Sequence, residues 1–303
     1  MGKKILIIAG GKKSKLDLFK EPAERLGLDV TLASFSELSY SSDTPFILKI
    51  NDQDVSKFDV IYVRVVGKRV EDLTLLVAYA KEKGIRVVDK LYEEAHLLPL
   101  SLGKSIETMK LVQANVAVPE SFFGALDEVI DKAKAKFGFP FVIKSTTGKK
   151  AREVWSPQND EDLSVIREKI KVLDPSSNMR FFSQEFISAS QRLRAFVIGD
   201  RVVSVITRPT KWRKRFIEKV GEEFPEGEKK ALDPIPEADA KMALDASKAV
   251  SLEIAGVDIV HDDKTGKVYV LEVNSAPSWE LVRKDAKMNV EEEILKYLCK
   301  VKK

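Results

Sequence analysis

Residues 4–9 (KILIIA) make an unbroken apolar run that stops at Gly10-Gly11, the pattern of a strand buried on both faces of a parallel sheet. Apolar positions at helical spacing follow over residues 16–26, so the chain opens as a strand and a helix. Further strands are predicted over 29–35, within 55–66 (around DVIYVRVV) and over 85–89, with a helix over 70–83. Strands and helices in alternation predict an open, mainly parallel sheet covered by helices. Beyond residue 100 the order changes. Helices over 105–114 and 127–136 enclose a short strand near 121–123, and a strand after Pro140 carries Lys144 at its end. Strands over 181–187, 194–198 and 202–207 follow, the last two joined by Gly199-Asp200, a dipeptide suited to a hairpin turn. A helix over 238–251 leads into two β-rich runs, 255–260 and 267–273, around the polar segment DDKTG, and a last helix covers 290–299.

The stretch 256–274 (GVDIVHDDKTGKVYVLEVN) carries chemistry as well as pattern. Side chains alternate along a strand, which puts Val270, Glu272 and Asn274 on one side and Tyr269, Leu271 and Val273 on the other. A turn centred on Thr265 sets residue 258 opposite residue 272 and brings the Asp258 and Glu272 carboxylates together. Facing carboxylates repel, and a bound cation removes the repulsion. An all-oxygen set of Asp258, Glu272 and Asn274 suits Mg²⁺ (or Mn²⁺), which commonly also takes phosphate oxygens from a nucleotide. The bland alternative is an exposed hairpin with solvated acids, but Leu271 and Val273 on either side of Glu272 argue for a buried strand.

Composition narrows the setting. A chain of 303 residues with 44% hydrophobic and 32% charged residues is expected to be a soluble globular protein of two or three domains. Cys299 is the one cysteine, so no internal disulfide can form and a reducing, cytoplasmic setting is expected. The opening apolar run is too short for a secretory signal, and no segment approaches the ~20 apolar residues of a membrane span. A formal charge of +4 does not by itself call for nucleic acid.

Other motifs are weaker. The turn at Gly10-Gly11-Lys12-Lys13 lacks both the G-x-G-x-x-G and the P-loop spacing and reads as a plain tight turn. The small, basic turn after Lys144 (STTGKK) could wrap polyphosphate with backbone N–H groups, although it holds a single glycine. The run Lys211-Trp212-Arg213-Lys214-Arg215-Phe216 is basic and aromatic; it suits a loop covering an acidic substrate better than a surface for RNA. No nucleophile–base pair stands out at His96, His261 or Cys299.

With Lys104, Lys144, QEFI (184–187), AGVDIV (255–260) and YVLEVNSAP (269–277) standing in this order, the sequence resembles the ATP-grasp superfamily, and within it the RimK-like carboxylate–amine (glutamate) ligases. The resemblance covers residues 95–285 and is most specific at E-V-N-x-x-P preceded by A-G-V-D. It implies an α/β fold in which an open parallel-sheet, Rossmann-like domain (1–95) precedes a two-lobed ATP-grasp domain with antiparallel sheets, its central lobe at 96–183 and its C-terminal lobe, with the metal site, at 184–303. It implies that Lys104 and Lys144 touch ATP phosphates and that Gln184, Glu185, Phe186 and Ile187 form an inter-domain hinge whose backbone meets the adenine edge. Arg194 and Arg208 would face the phosphates or the acyl intermediate, which makes them, with Lys144, the candidate catalytic residues. Asp258, Glu272 and Asn274 match the magnesium ligands.

Departures from the family pattern accompany the match. Ala151 and Glu153 stand where phosphate-loop glycines are usual, and no acid lies in 188–194 to hold a ribose, Arg192 standing two residues before Arg194. An Arg-x-Asn pattern is missing, and Lys211 and Arg213 are the nearby cations left to contact the nucleotide. The activity implied is ATP-dependent amide formation through an acylphosphate, with a carboxylate substrate (an amino acid, glutamate among the candidates) and an amine acceptor. Neither nucleic acid nor membrane is expected as a partner, and a homo-oligomer is compatible. A kinase with a hydroxyl acceptor, or a weakly catalytic ATP-binding module, is the alternative.

Overall fold

The structure, a computed structural model, describes residues 3–11, 13–40, 46–94, 103–146, 153–173, 181–209, 230–286 and 288–301. Its first sheet is parallel, with strand order β2-β1-β6-β7: β1 is Lys4–Ala9, β2 Asp29–Ser34, β6 Val60–Val65 and β7 Arg86–Val88. Both faces of β1 are covered. Ile5 and Ile7 pack into one core cluster and Leu6 and Ile8 into another, so the strand reads as a continuous apolar run. The second cluster is closed by α2 (Val70–Glu82) through Leu73, Leu76 and Ala80. The first cluster continues into Phe196, Ile254 and Trp279 and into Leu295 and Leu298 of the terminal helix, so the parallel sheet shares its core with the C-terminal part of the chain.

Two expectations need adjustment here. The helix expected over 16–26 is a 3-10 segment, Lys13–Phe19, followed by the short α1, Lys20–Arg25. Pro22 has no N–H to donate to residue 18, so a continuous α-helical ladder through this stretch loses a bond. A small sheet of β3 (Leu38–Tyr40), β4 (Leu48–Ile50) and β5 (Gln53–Asp54) also stands beside the parallel one; strands of two or three residues carry no readable period.

The second sheet has the order β10-β9-β11-β8, from β8 (Ser121–Gly124), β9 (Phe141–Ser145), β10 (Val154–Trp155) and β11 (Phe181–Glu185). Its strands pair antiparallel, and Phe141, Ile143 and Phe181 point back onto α5 (Leu126–Phe137) and α6 (Asp160–Leu173). Helix α6 lies outside the pattern read from the sequence, although Leu163, Ile166 and Ile170 have core spacing and three acids open its first turn.

The third sheet is antiparallel with the order β13-β12-β14-β15: β12 is Gln191–Ile198, β13 Arg201–Pro209, β14 Ile254–His261 and β15 Val268–Asn274. Leu193, Ala195, Val205, Val257 and Ile259 bury one face against the helix Glu237–Ala249, with Ala243 and Ala246 in contact. The architecture is thus mixed α/β, a parallel sheet followed by antiparallel ones. Among the described residues no helix is long and apolar enough to cross a membrane.

Candidate active site

The opposite face of the third sheet is divided: at Phe196, Ile198 and Ile254 it enters the first core cluster, and toward Arg192 it is polar. Arg192 and Arg194 on β12 alternate with the buried Leu193 and Ala195, and in the register Arg194 lies opposite Asp258, which lies opposite Glu272, while Gly256 lies opposite Asn274. Asp258 and Glu272 are paired as expected, but strict alternation fails. The register near the turn runs Val260 to Tyr269 and Ile259 to Val270, then shifts by one, so that Leu271 is an extra residue on β15. This bulge turns Val270 into the core beside Val273, leaving Glu272 and Asn274 without Val270 on their side.

Each acid here already has a cation. Arg194 donates from Nε and Nη2 to the two oxygens of Asp258, at 2.5 and 2.6 Å, a bidentate pair with the carboxylate almost wholly buried. Burial pulls the Arg194 pKa down, but the bond and charge of Asp258 outweigh it and the pKa is raised. Arg192 approaches the same carboxylate at 3.9 Å. Lys104, the first residue of the helix Lys104–Gln113, reaches Glu272 at 3.0 Å and Glu107 at 3.1 Å. Burial disfavours its charge, yet the two carboxylates raise its pKa overall, so Lys104 stays an ammonium.

Glu107 is missing from the sequence reading. It is buried, accepts the Val273 N–H at 2.6 Å and so ties the Lys104 helix to β15 beside Glu272. Burial raises its pKa, with Lys104 acting against that. The Lys104/Glu107 spacing of one helical turn was the available signal; its partner on β15 was not.

Lys144 comes from the second sheet and differs. Among the described residues its polar partner is neutral: Nζ donates to Gln184 Oε1 at 2.5 Å, and the ammonium lies 5.7 Å from the Phe182 ring centre. Gln184 in turn donates to Ser121 Oγ at 2.9 Å, which fixes its carbonyl toward the lysine. Burial, with Lys104 close by, pushes the Lys144 pKa down to about 8, against the pull of Glu272 and Glu107. Lys104, Lys144, Glu107 and Glu272 therefore share one electrostatic neighbourhood.

The hinge residues lie at the end of β11. The Glu185 N–H donates to Glu120 O at 2.8 Å, so an adenine edge would have to meet the carbonyl of Glu185 or groups beyond it; Ile187 is buried and Phe186 half-buried. Arg208 is placed by its backbone, opposite Arg192 on β13. Lys211 and Arg213, and most of the basic turn after Lys144, lie outside the described residues, as does His96. His261 pairs with Asp239 at 2.7 Å, away from this cluster.

The metal set can be tested on donor chemistry. Among the described residues no three of His, Cys, Asp and Glu gather to hold an ion, so a site here rests on two carboxylates and the Asn274 amide. All three donors are hard oxygens, carried in register on neighbouring strands. A hard divalent cation fits that set. Close packing behind it is enforced at Gly256, where a Cβ would lie 2.7 Å from the Pro277 side chain.

The comparisons with known proteins give the family and the fold. The sequence model of the RimK-like ATP-grasp domain matches residues 104–298. A probable alpha-L-glutamate ligase of Haemophilus influenzae is 26% identical over 193 residues, which cover 62% of this chain and 59% of that protein. The chain thus spans about three-fifths of the length of the curated relatives it matches. The fold is that of the ATP-grasp ligase PsnB, solved with a phosphomimetic variant of its minimal precursor, Mg and ADP: TM-score 0.71, 16% identity, 98% of each chain covered. A RimK domain ATP-grasp protein of Sphaerobacter thermophilus matches at TM-score 0.68 with 18% identity, over 97% of this chain and 99% of that one. At these identities the structural likeness is one of fold.

Proposed function

This chain belongs to the RimK-like ATP-grasp family, and we propose that it joins a carboxylate to an amine with cleavage of ATP to ADP and phosphate. One observation carries the reading: Lys104 pairs with Glu272, the register partner of Asp258, and Lys144, from a different sheet, lies near enough for its charge to respond to both Lys104 and Glu272. Lys104 and Lys144 would hold the phosphate oxygens as point charges. Asp258, Glu272 and Asn274 would hold Mg²⁺, which would supply neutralisation of phosphate charge. The substrate carboxylate oxygen bonds to the terminal phosphorus as ADP leaves. The amine nitrogen then attacks the acyl carbon, phosphate departs, and the ammonium proton passes to solvent.

Arg194 is held by Asp258; Arg208, whose backbone pairs with that of Arg192, is assigned with it to the phosphates or the acyl intermediate. Lys211 and Arg213 follow β13 in sequence and are assigned to the nucleotide or its acidic co-substrate. The adenine is assigned to the end of β11, at Gln184, Glu185, Phe186 and Ile187. Glutamate is the first amino acid to test, since the curated relatives are named glutamate ligases. A peptide is the first partner to test, since PsnB was solved with its precursor. The single, half-buried thiol of Cys299 suits a cytoplasmic setting.

The test is phosphate release from Mg-ATP with pools of carboxylates and amines. Release should require both together and should fall by at least ~10³-fold in Asp258→Asn and in Glu272→Gln, the size of effect typical of removing a preorganised charge. Release that those substitutions leave untouched would remove the reading.

A further inference from the structure

Arg192 has no part in the chemistry assigned so far, yet it stands inside the site. It alternates with the buried Leu193 and so shares a face of β12 with Arg194, two residues on and about 7 Å along the strand. Its Nη1 comes to 3.9 Å from Asp258, beyond hydrogen-bond reach, and Arg194 already donates to both oxygens of that carboxylate. Its Nε is buried and finds no hydrogen-bond partner among the described residues. The side chain as a whole is 30% exposed, so a ligand entering the site can reach the guanidinium. Burial first, then the charges of Lys104 and Arg192, push the Lys144 pKa down, so Arg192 and Lys144 lie within range of each other.

Among the described residues, Lys104, Lys144, Arg192 and Arg194 thus stand against Glu107, Asp258 and Glu272, and positive charge is in excess. Lys104 and Arg194 meet these acids at hydrogen-bond distance; Lys144 and Arg192, which come from different sheets, do not. Like charges brought together repel, and one anionic group between them relieves both.

Position selects the anion. Arg192 is the second residue of β12, and only residues 186–190 separate that strand from β11, whose end is assigned to the adenine. This loop is tied to the β14–β15 turn, where the Asp263 N–H donates to Ser188 O at 2.7 Å. Arg194, further along β12, lies opposite Asp258, which lies opposite Glu272. Arg192 therefore falls between the place of the base and that of the metal and outer phosphates, where a nucleotide carries its sugar and innermost phosphate. A guanidinium can only donate, and its planar fork suits a phosphate better than a hydroxyl. The sugar is left without an acid. Residues 186–192 (FISASQR) hold none, and Asp263, which reaches the loop from the turn, is engaged by Ser190 at both oxygens. A site selects strongly for a hydroxyl only where a group is built to bond it.

We propose that Arg192 and Lys144 clamp the innermost phosphate of the nucleotide from two sheets, and that this phosphate, not the sugar hydroxyls, holds it, so that ribonucleotides and deoxyribonucleotides are accepted alike. This rests on the nucleotide site of the ligase reading above, not on its acceptor.

The test is calorimetric titration of the full chain with Mg-ADP and Mg-deoxy-ADP, and displacement of ADP by AMP and by adenosine. The two diphosphates should bind within about threefold of each other, and AMP should compete at least about tenfold better than adenosine. In Arg192→Gln the dissociation constants of AMP and Mg-ADP should rise by the same factor, on the order of tenfold, with that of adenosine unchanged. Arg192→Lys should recover part of the loss, since it restores charge without the fork, and it carries the test if Arg192→Gln does not fold. Rejection of deoxy-ADP by more than about thirtyfold would show that the sugar is recognised and overturn the proposal. So would AMP that competes no better than adenosine in the unaltered protein, or AMP affinity that a folded Arg192 variant leaves untouched. Nucleotide binding as described, without phosphate release from any carboxylate and amine, would sink the ligase reading and support the clamp; unaltered protein that binds none of the four ligands overturns both.

Discussion

The two sides of the candidate site solve the problem of buried charge differently. On the C-terminal side each cation has an acid: Arg194 holds Asp258 by two bonds, and Lys104 sits between Glu107 and Glu272. On the central side the contacts of Lys144 among the described residues are the neutral carbonyl of Gln184 and the face of Phe182. The first half is charge-balanced and contributes to the fold; the second is short of negative charge, and a polyphosphate is what would supply it.

Substitution should therefore move stability in opposite directions on the two sides. Asp258→Asn strips the buried Arg194 of its counter-charge and is expected to cost about 3–5 kcal/mol of stability in addition to turnover. Lys144→Met removes a charge that burial already disfavours; the melting temperature should stay level or rise, while affinity for a non-hydrolysable ATP analogue falls on the order of tenfold to a hundredfold. Thermal denaturation alongside calorimetric titration reads both. Equal destabilisation by the two changes would erase the distinction between the sides.

Part of this was legible in the chain. The run over β1 announces a buried strand because both of its faces are covered. Asp258 does stand opposite Glu272, but the pairs beside the turn, Val260 with Tyr269 and Ile259 with Val270, would by counting alone set it against Leu271, so the pairing depends on the bulge. The bulge at Leu271 was not readable: one extra residue on a strand is settled by how Val270 and Val273 seat in the core, not by local preference. Glu107 shows the same limit. Its spacing from Lys104 is visible, but the N–H that orients it belongs to Val273, far along the chain. Lys144 could be placed at a strand end, whereas its partner depended on the antiparallel register that sets Gln184 across from Val142, beside Lys144.

A gentler change sharpens the contrast by converting one side into the other. Gln184→Glu would place a carboxylate 2.5 Å from the lysine and give Lys144 the kind of partner that Lys104 has. The Lys144 pKa should then rise, and nucleotide affinity should weaken by roughly tenfold because an acid now competes with phosphate. Tighter nucleotide binding in this variant would show that Lys144 is not short of negative charge.

The smallest effect is the pH dependence of nucleotide binding in the unaltered protein. Burial sets Lys144 to lose its proton near pH 8, whereas Lys104, raised by Glu272 and Glu107, keeps its own well beyond that. A polyphosphate binds the protonated form more tightly, so its dissociation constant should be flat below about pH 7.5 and increase by up to about tenfold per unit above pH 8. Lys144→Arg should abolish the bend, because guanidinium does not titrate there, and Gln184→Glu should shift it upward. The same bend persisting in Lys144→Met would assign it to another group and leave the two halves of the site electrostatically alike.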